Sequence, residues 1–273
     1  MPEETLKNPR VPAVTASYYR QFGARPDLAV PAKGFGGWAS ASLPLNLDAT
    51  ALVVMHVWEV PDASVSPGWH SAAEFLGRAA TITKDTLGPL VAAARDAHLR
   101  VVHVVAAPGT YRDSEGGVIE VAGTPTAGVV DVDEVHDALS RFHRENAHPG
   151  RENAAEVAER LRQPRIASAL VPHPQETVVY RSEDLIDFLR REGINHLLYT
   201  GFAINACLQH SPGGMVDLRR SGAICSVVVD AVTAVENAET ATEEIAKAVA
   251  TWQVAVFGGF AYRSSDLRTA LAG

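Results

Sequence analysis

The 273-residue chain has only two cysteines, Cys207 and Cys225. Two thiols cannot build a disulfide framework, and their scarcity fits a reducing compartment. Positive charge is also in short supply: 24 Lys and Arg against 32 Asp and Glu leave a net charge of −8, with no basic stretch to offset it. That balance excludes nucleic acid and anionic membranes as expected partners. No apolar run approaches the ~20 residues of a membrane span. Met1-Pro2-Glu3-Glu4 lacks the basic-then-apolar layout of a secretion signal. The expectation is a cytoplasmic protein acting on a small molecule.

Apolar residues make up 47% of the chain, enough for the core of one large α/β domain. Residues 1–48 contain Pro, Gly and scattered aromatics without sustained periodicity, so they read as an irregular N-terminal arm. Residues 49–273 read as a single domain. A β-branched run at 51–58 has the character of a central strand buried on both faces. A helical stretch at 71–97 and a strand at 100–105 follow. A long crossover at 106–175, with a helical run at 151–162, is placed to wall a site. Then come strand 177–180, helix 184–192, strand 196–200, a helix from Asn205, strand 223–229, helix 236–250 and an apolar edge segment at 254–257. Strands alternating with helices predict a three-layer α/β/α fold around a mainly parallel sheet.

The most informative segment is Leu197-Leu198-Tyr199-Thr200-Gly201-Phe202-Ala203-Ile204-Asn205-Ala206-Cys207. An apolar strand ends in a Gly turn and a helical pattern begins at the thiol, a layout that presents a nucleophile at the carboxyl end of a sheet. Farther on, Ser211-Pro212-Gly213-Gly214 predicts a break in that helix, because proline removes a backbone donor and clashes with the preceding turn.

These residues, with the strand Ala51-Leu52-Val53-Val54 and the segment Val227-Val228-Val229-Asp230-Ala231, resemble the isochorismatase-like superfamily of cysteine hydrolases, which includes nicotinamidases and carbamoylsarcosine amidases. The resemblance spans roughly residues 50–250 and implies a Rossmann-like topology. It also implies an Asp base after the first strand, a helper Lys after the third, and a Cys nucleophile. Backbone amides at Ala203 and Cys207 would form an oxyanion hole, often across a cis peptide. Two positions depart from this pattern: His56 stands where the Asp is expected, and Arg181 where the Lys is expected.

Chemistry accommodates both changes. Imidazole accepts a thiol proton near neutral pH and returns it to a leaving group, while a guanidinium supplies positive charge without donating its proton. The candidate site therefore has Cys207 as nucleophile, His56 as base and acid, and Arg181 as electrostatic clamp, with Phe202, Ala203 and Trp58 against the substrate. Without the resemblance, His56 reads equally as a core histidine closing its strand. Arg181 likewise reads as a surface partner of Glu183 or Asp184.

The Asp-x-His pattern from which nicotinamidases draw metal ligands is missing around His70, so neither a metal nor another cofactor is expected. His103 and Cys225 read as core residues, and Asp230 as a capping residue. The leading functional reading is hydrolysis of a C–N bond in a small amide, imide or carbamoyl compound through a Cys207 thioester. Two others stay open: an inactive relative that binds a small molecule or a protein, and isochorismate-type vinyl-ether hydrolysis, which in this family depends on the Asp. Relatives commonly assemble as dimers or tetramers, and a homo-oligomer is expected.

Overall fold

The computed structural model describes residues 10–112, 117–121, 123, 131–162 and 164–273. Its strands are β1 (Ala13–Arg20), β2 (Gly37–Pro44), β3 (Thr50–Met55), β4 (Arg100–Val104), β5 (Gly109–Arg112), β6 (Val118–Val121), β7 (Thr177–Val179), β8 (His196–Gly201), β9 (Ile224–Val232) and β10 (Ala261–Tyr262). Eight of them form one sheet in the order β2-β1-β10-β9-β8-β3-β4-β7, and β5 and β6 pair as a separate hairpin. From β10 to β7 every neighbouring pair is parallel.

β3 explains the layering. All six of its residues are buried. Ala51, Val53 and Met55 pack on one face with Leu185, Phe188, Leu208, Met215 and Val254, which belong to helices Ser182–Glu192, Cys207–His210, Met215–Arg220 and Ile245–Val256. Leu52 and Val54 pack on the other with Leu87, Leu90, Val91 and Leu267, from the helical stretch 76–96 and helix Ser264–Ala272. Side chains alternate along a strand, so a strand covered on both faces reads as an unbroken apolar run. The predicted α/β/α arrangement is the one observed.

Three local expectations need correction. Residues 13–20 and 37–44 are not part of an irregular arm: β1 and β2 form an antiparallel hairpin that extends the sheet beyond β10. Ala, Ser and Thr fill 15–17 and 39–42, and their weak apolar contrast blunts the alternation around Val14, Tyr18, Tyr19, Trp38 and Leu43. Residues 254–257 are not an edge strand. They end helix Ile245–Val256, and Gly258 at φ 97° halts it. Nor does that helix begin at Glu236, because Glu236 and Asn237 work as capping side chains. The Glu236 carboxylate accepts the Ala246 and Lys247 amides, and Asn237 Oδ1 accepts those of Glu239 and Thr240. The predicted break after Cys207 is present, with helices Cys207–His210 and Met215–Arg220 separated by Ser211-Pro212-Gly213-Gly214.

Candidate active site

β3 and β8 lie side by side at the centre of the sheet, and their last residues, Met55 and Gly201, are register partners. Gly201 sits at φ 113°, and a β-carbon there would overlap the Met55 carbonyl. Only glycine lets the two strand ends close to this distance. Phe202 then donates its amide to the same carbonyl at 3.2 Å. The chain continues through the cis Phe202–Ala203 peptide into the segment before Cys207.

Asn205 fixes that segment: its side chain donates to the Val235 carbonyl at 2.8 Å and accepts the Val235 amide at 2.9 Å. The Ala203 carbonyl accepts the amides of Ala206 and Leu208. Among the described residues, no hydrogen bond engages the amide N–H of Ala203 or of Cys207.

At the end of β3, His56 adopts φ 52°, a left-handed conformation uncommon outside glycine. Its amide donates to the Val104 carbonyl at 3.0 Å. The ring is buried, and among the described residues its Nε2 has no partner. Burial pushes its pKa down to about 4, against a hydrogen bond to the Val105 backbone. It stacks on Trp58 at 5.9 Å between centroids, and Trp58 stacks on Tyr111 at 5.7 Å.

His56 and Cys207 line the same cavity, about 140 Å³ in volume, with Trp58, Trp69, Phe75 and Phe202 among its walls. Apart from the thiol and the imidazole, the described residues that line it are apolar, with no carboxylate, ammonium or guanidinium among them. Part of the wall comes from the long crossover. Leu161, in helix Ala154–Arg162, reaches the cavity, and Glu156 of that helix accepts the Gly68 and Trp69 amides at 3.0 and 3.2 Å. Trp69, Phe75, Glu156 and Leu161 were not singled out from sequence, and Asn205 was noted without a role. Only the Pro67-Gly68-Trp69 turn and the side-chain chemistry of Asn205 offered a signal.

Arg181 is not brought to this cavity. Its guanidinium is about half exposed, pairs with Glu183 at 3.3 Å and borders a separate surface groove with Ser182, Pro212 and Asp217. The reason is local: helix Ser182–Glu192 starts immediately after it, so the side chain turns along the first helical turn toward the acidic residues there. Trp58 and Phe202 are at the cavity, while Ala203 is buried behind it with its amide unengaged.

Other candidates have structural partners. His70 bonds the Pro61 carbonyl, His103 bonds Glu176, and Asp230 accepts the Ser264 amide and hydroxyl at the start of the last helix. Cys225 is buried, with its thiol pushed up to about 12 by desolvation. Among the described residues, no three His, Cys, Asp or Glu side chains converge as a metal site would require.

A thiol and an imidazole share one small apolar cavity, beyond the carboxyl ends of the central parallel strands of an α/β fold. The chain belongs to the isochorismatase family: the isochorismatase domain model matches residues 71–254, which include Cys207 and leave out His56. No curated protein matches the sequence. Among solved structures, a cysteine hydrolase from Pseudomonas syringae pv. phaseolicola is 14% identical over 84% of this chain and 95% of that one, with a TM-score of 0.48. An isochorismatase family protein from Desulfovibrio vulgaris is 22% identical over 82% and 99%, with a TM-score of 0.43. A nicotinamidase from Acinetobacter baumanii is 15% identical over 81% and 98%, with a TM-score of 0.36. No helix among the described residues is long and apolar enough to cross a membrane.

Proposed function

We propose that the chain is a cysteine hydrolase cleaving the C–N bond of a small amide, imide or carbamoyl compound through a thioester on Cys207. The observation that carries this reading is the shared cavity: the Cys207 thiol and the His56 ring, whose Nε2 has no partner among the described residues, line one chamber. The Cys207 sulfur attacks the carbonyl carbon while the His56 ring takes the thiol proton. The Ala203 and Cys207 amides receive the resulting oxyanion. As the C–N bond breaks, His56 returns its proton to the leaving nitrogen. Water then adds to the thioester and releases a carboxylic acid and the free thiol.

Burial sets the tuning of this step. A ring with a pKa of about 4 is neutral at pH 7, so its proton-accepting form is fully populated although weakly basic. The same burial makes an isolated imidazolium expensive, so proton transfer must be compensated by the anion that forms beside it. A chamber of about 140 Å³ is close to the ~150 Å³ of an engineered cavity that takes up benzene. The group held at the reacting carbon is therefore a single ring or a short aliphatic chain.

Turnover of a panel of small amides and carbamoyl compounds by the intact chain, with trapping of an acyl adduct on Cys207 by mass spectrometry, tests the reading. Hydrolysis that persists in Cys207→Ala would overturn it. A second reading is a noncatalytic binder, favoured by the lack of a carboxylate or fixed positive charge among the described residues of the cavity and by the position of Arg181. Saturable binding of a panel member without turnover would select it. The same missing carboxylate speaks against vinyl-ether hydrolysis.

A further inference from the structure

A second recess, about 230 Å³, adjoins the cavity and shares Trp58 and Trp69 with it. Its other walls include Glu59, Arg160 and Arg165. Two guanidiniums against one carboxylate give it a net positive charge, in a chain whose total is −8. Among the described residues neither arginine has an ion-pair or hydrogen-bonding partner for its side chain, as is also true of Arg141, Arg144, Arg263 and Arg268; what sets these two apart is that they share one recess.

Both positions are anchored to the cavity wall. The Arg165 carbonyl accepts the Glu59 amide at 2.8 Å, and its neighbour Ile166 bridges Trp58. Arg160 lies on helix Ala154–Arg162, whose Glu156 holds the Gly68 and Trp69 amides. The backbone thus holds two unpaired cations beside the two tryptophans that separate the recess from the thiol chamber.

We infer that this recess is an anion subsite, and that the substrate class is a small C–N compound with a carboxylate or phosphate tail. The apolar chamber holds the group at the reacting carbonyl, and Arg160 and Arg165 hold the tail. A planar guanidinium fork matches either oxyanion. This inference rests on the reading of Cys207 as an accessible thiol in that chamber.

The test uses two alkylating probes of the same shape, N-iodoacetyl-β-alanine and its carboxamide, which differ in the charge of the tail. In both, the Cys207 sulfur displaces iodide, and peptide mapping separates its labelling from that of Cys225. The readout is the ratio of the two rates on the intact chain. Each exposed charge pair contributes up to about fivefold, so Arg160→Gln with Arg165→Gln should lower the charged-to-neutral ratio roughly three- to twentyfold. Arg160→Lys with Arg165→Lys should keep most of it, and high salt should reduce it in the wild type.

A ratio unchanged in the glutamine variant, or lost equally in the lysine variant, overturns the anion subsite and leaves the thiol reading intact. Labelling of Cys207 by neither probe overturns the thiol reading and the subsite with it.

Discussion

Asn205 and Val235 exchange two hydrogen bonds, at 2.8 and 2.9 Å, so that a side-chain amide completes a contact between the segment before Cys207 and the chain beyond β9. One residue thereby satisfies both main-chain groups of Val235 and sets where the thiol stands. Asn205→Ala leaves those groups to water and should cost about 1–2 kcal/mol. Urea unfolding measures the loss. Asn205→Asp keeps the acceptor and should fall between alanine and wild type. Equal stability of all three would show that the clamp holds nothing.

Gly201 makes a harsher prediction. It combines φ 113° with a position where a β-carbon would overlap the Met55 carbonyl. Backbone strain of about 1–3 kcal/mol adds to overpacking of about 1–3 kcal/mol. Gly201→Ala should therefore destabilise by roughly 2–6 kcal/mol and shift the two strand ends that carry His56 and Phe202. A urea midpoint within error of wild type would refute the close approach.

The wall of the cavity is testable at Glu156. Its carboxylate accepts two amides from the segment that carries Trp69, and hydrogen bonds to a charged group contribute about 1.5–3 kcal/mol when buried. These are only partly buried, so Glu156→Gln should cost about 1 kcal/mol in urea unfolding. It should also change the Trp69 environment in tryptophan emission, with Trp69→Phe as the control. No spectral change would mean that the wall stands without this clamp.

The fold was legible where residue contrast is strong. β3, β4, β8 and β9 are rich in Val, Leu and Ile, and Gly201 and Pro212 mark the turn and the helix break in plain residue chemistry. β1 and β2 were not legible, because the Ala, Ser and Thr at 15–17 and 39–42 break the apolar alternation that Val14, Tyr18, Tyr19, Trp38 and Leu43 would otherwise show. The end of helix Ile245–Val256 was hidden for a related reason: Val254, Ala255 and Val256 suit a strand as well as a helical turn, and only Gly258 decides between them.

Site residues divide along similar lines. Cys207, His56, Trp58 and Phe202 lie at or next to the ends of central strands, where sequence position implies location. Trp69, Glu156 and Leu161 reach the cavity through long-range packing that no local spacing encodes. Arg181 is the opposite case: the resemblance implies a positive charge beside the thiol at this position, and the start of its helix turns the side chain toward Glu183.

Stability should fall with acid through the buried His56 and the half-buried His196. His56 and His196 are both pushed down to about 4 by burial, whereas an unfolded histidine titrates near ~6.5. Their folded values are depressed, so the unfolded chain binds protons first. The stabilisation is complete above about pH 6.5 and is lost as pH falls toward 4. Each shift corresponds to about 3 kcal/mol as an upper bound, smaller for the less buried His196. Urea midpoints from pH 7 to 4 should drop, and His196→Gln should flatten the slope over that interval. A variant with the wild-type slope would refute the assignment.

The same ring gives the sharpest prediction for catalysis. If His56 moves the proton between Cys207 and the leaving nitrogen, the acid limb of kcat/KM should lie near pH 4, because only the neutral ring accepts a proton. An ordinary histidine would place that limb near ~6.5. His56→Ala should lower kcat/KM about 10²–10⁴-fold, the usual contribution of a positioned acid–base group. His56→Asp should recover part of the loss, since a carboxylate can take over the proton transfer. The profile is to be recorded on a substrate whose ionisation does not change between pH 4 and 8, and on the folded fraction established by the urea series. An acid limb that stays near pH 4 in His56→Ala would assign the titration to another group and remove the imidazole from the mechanism.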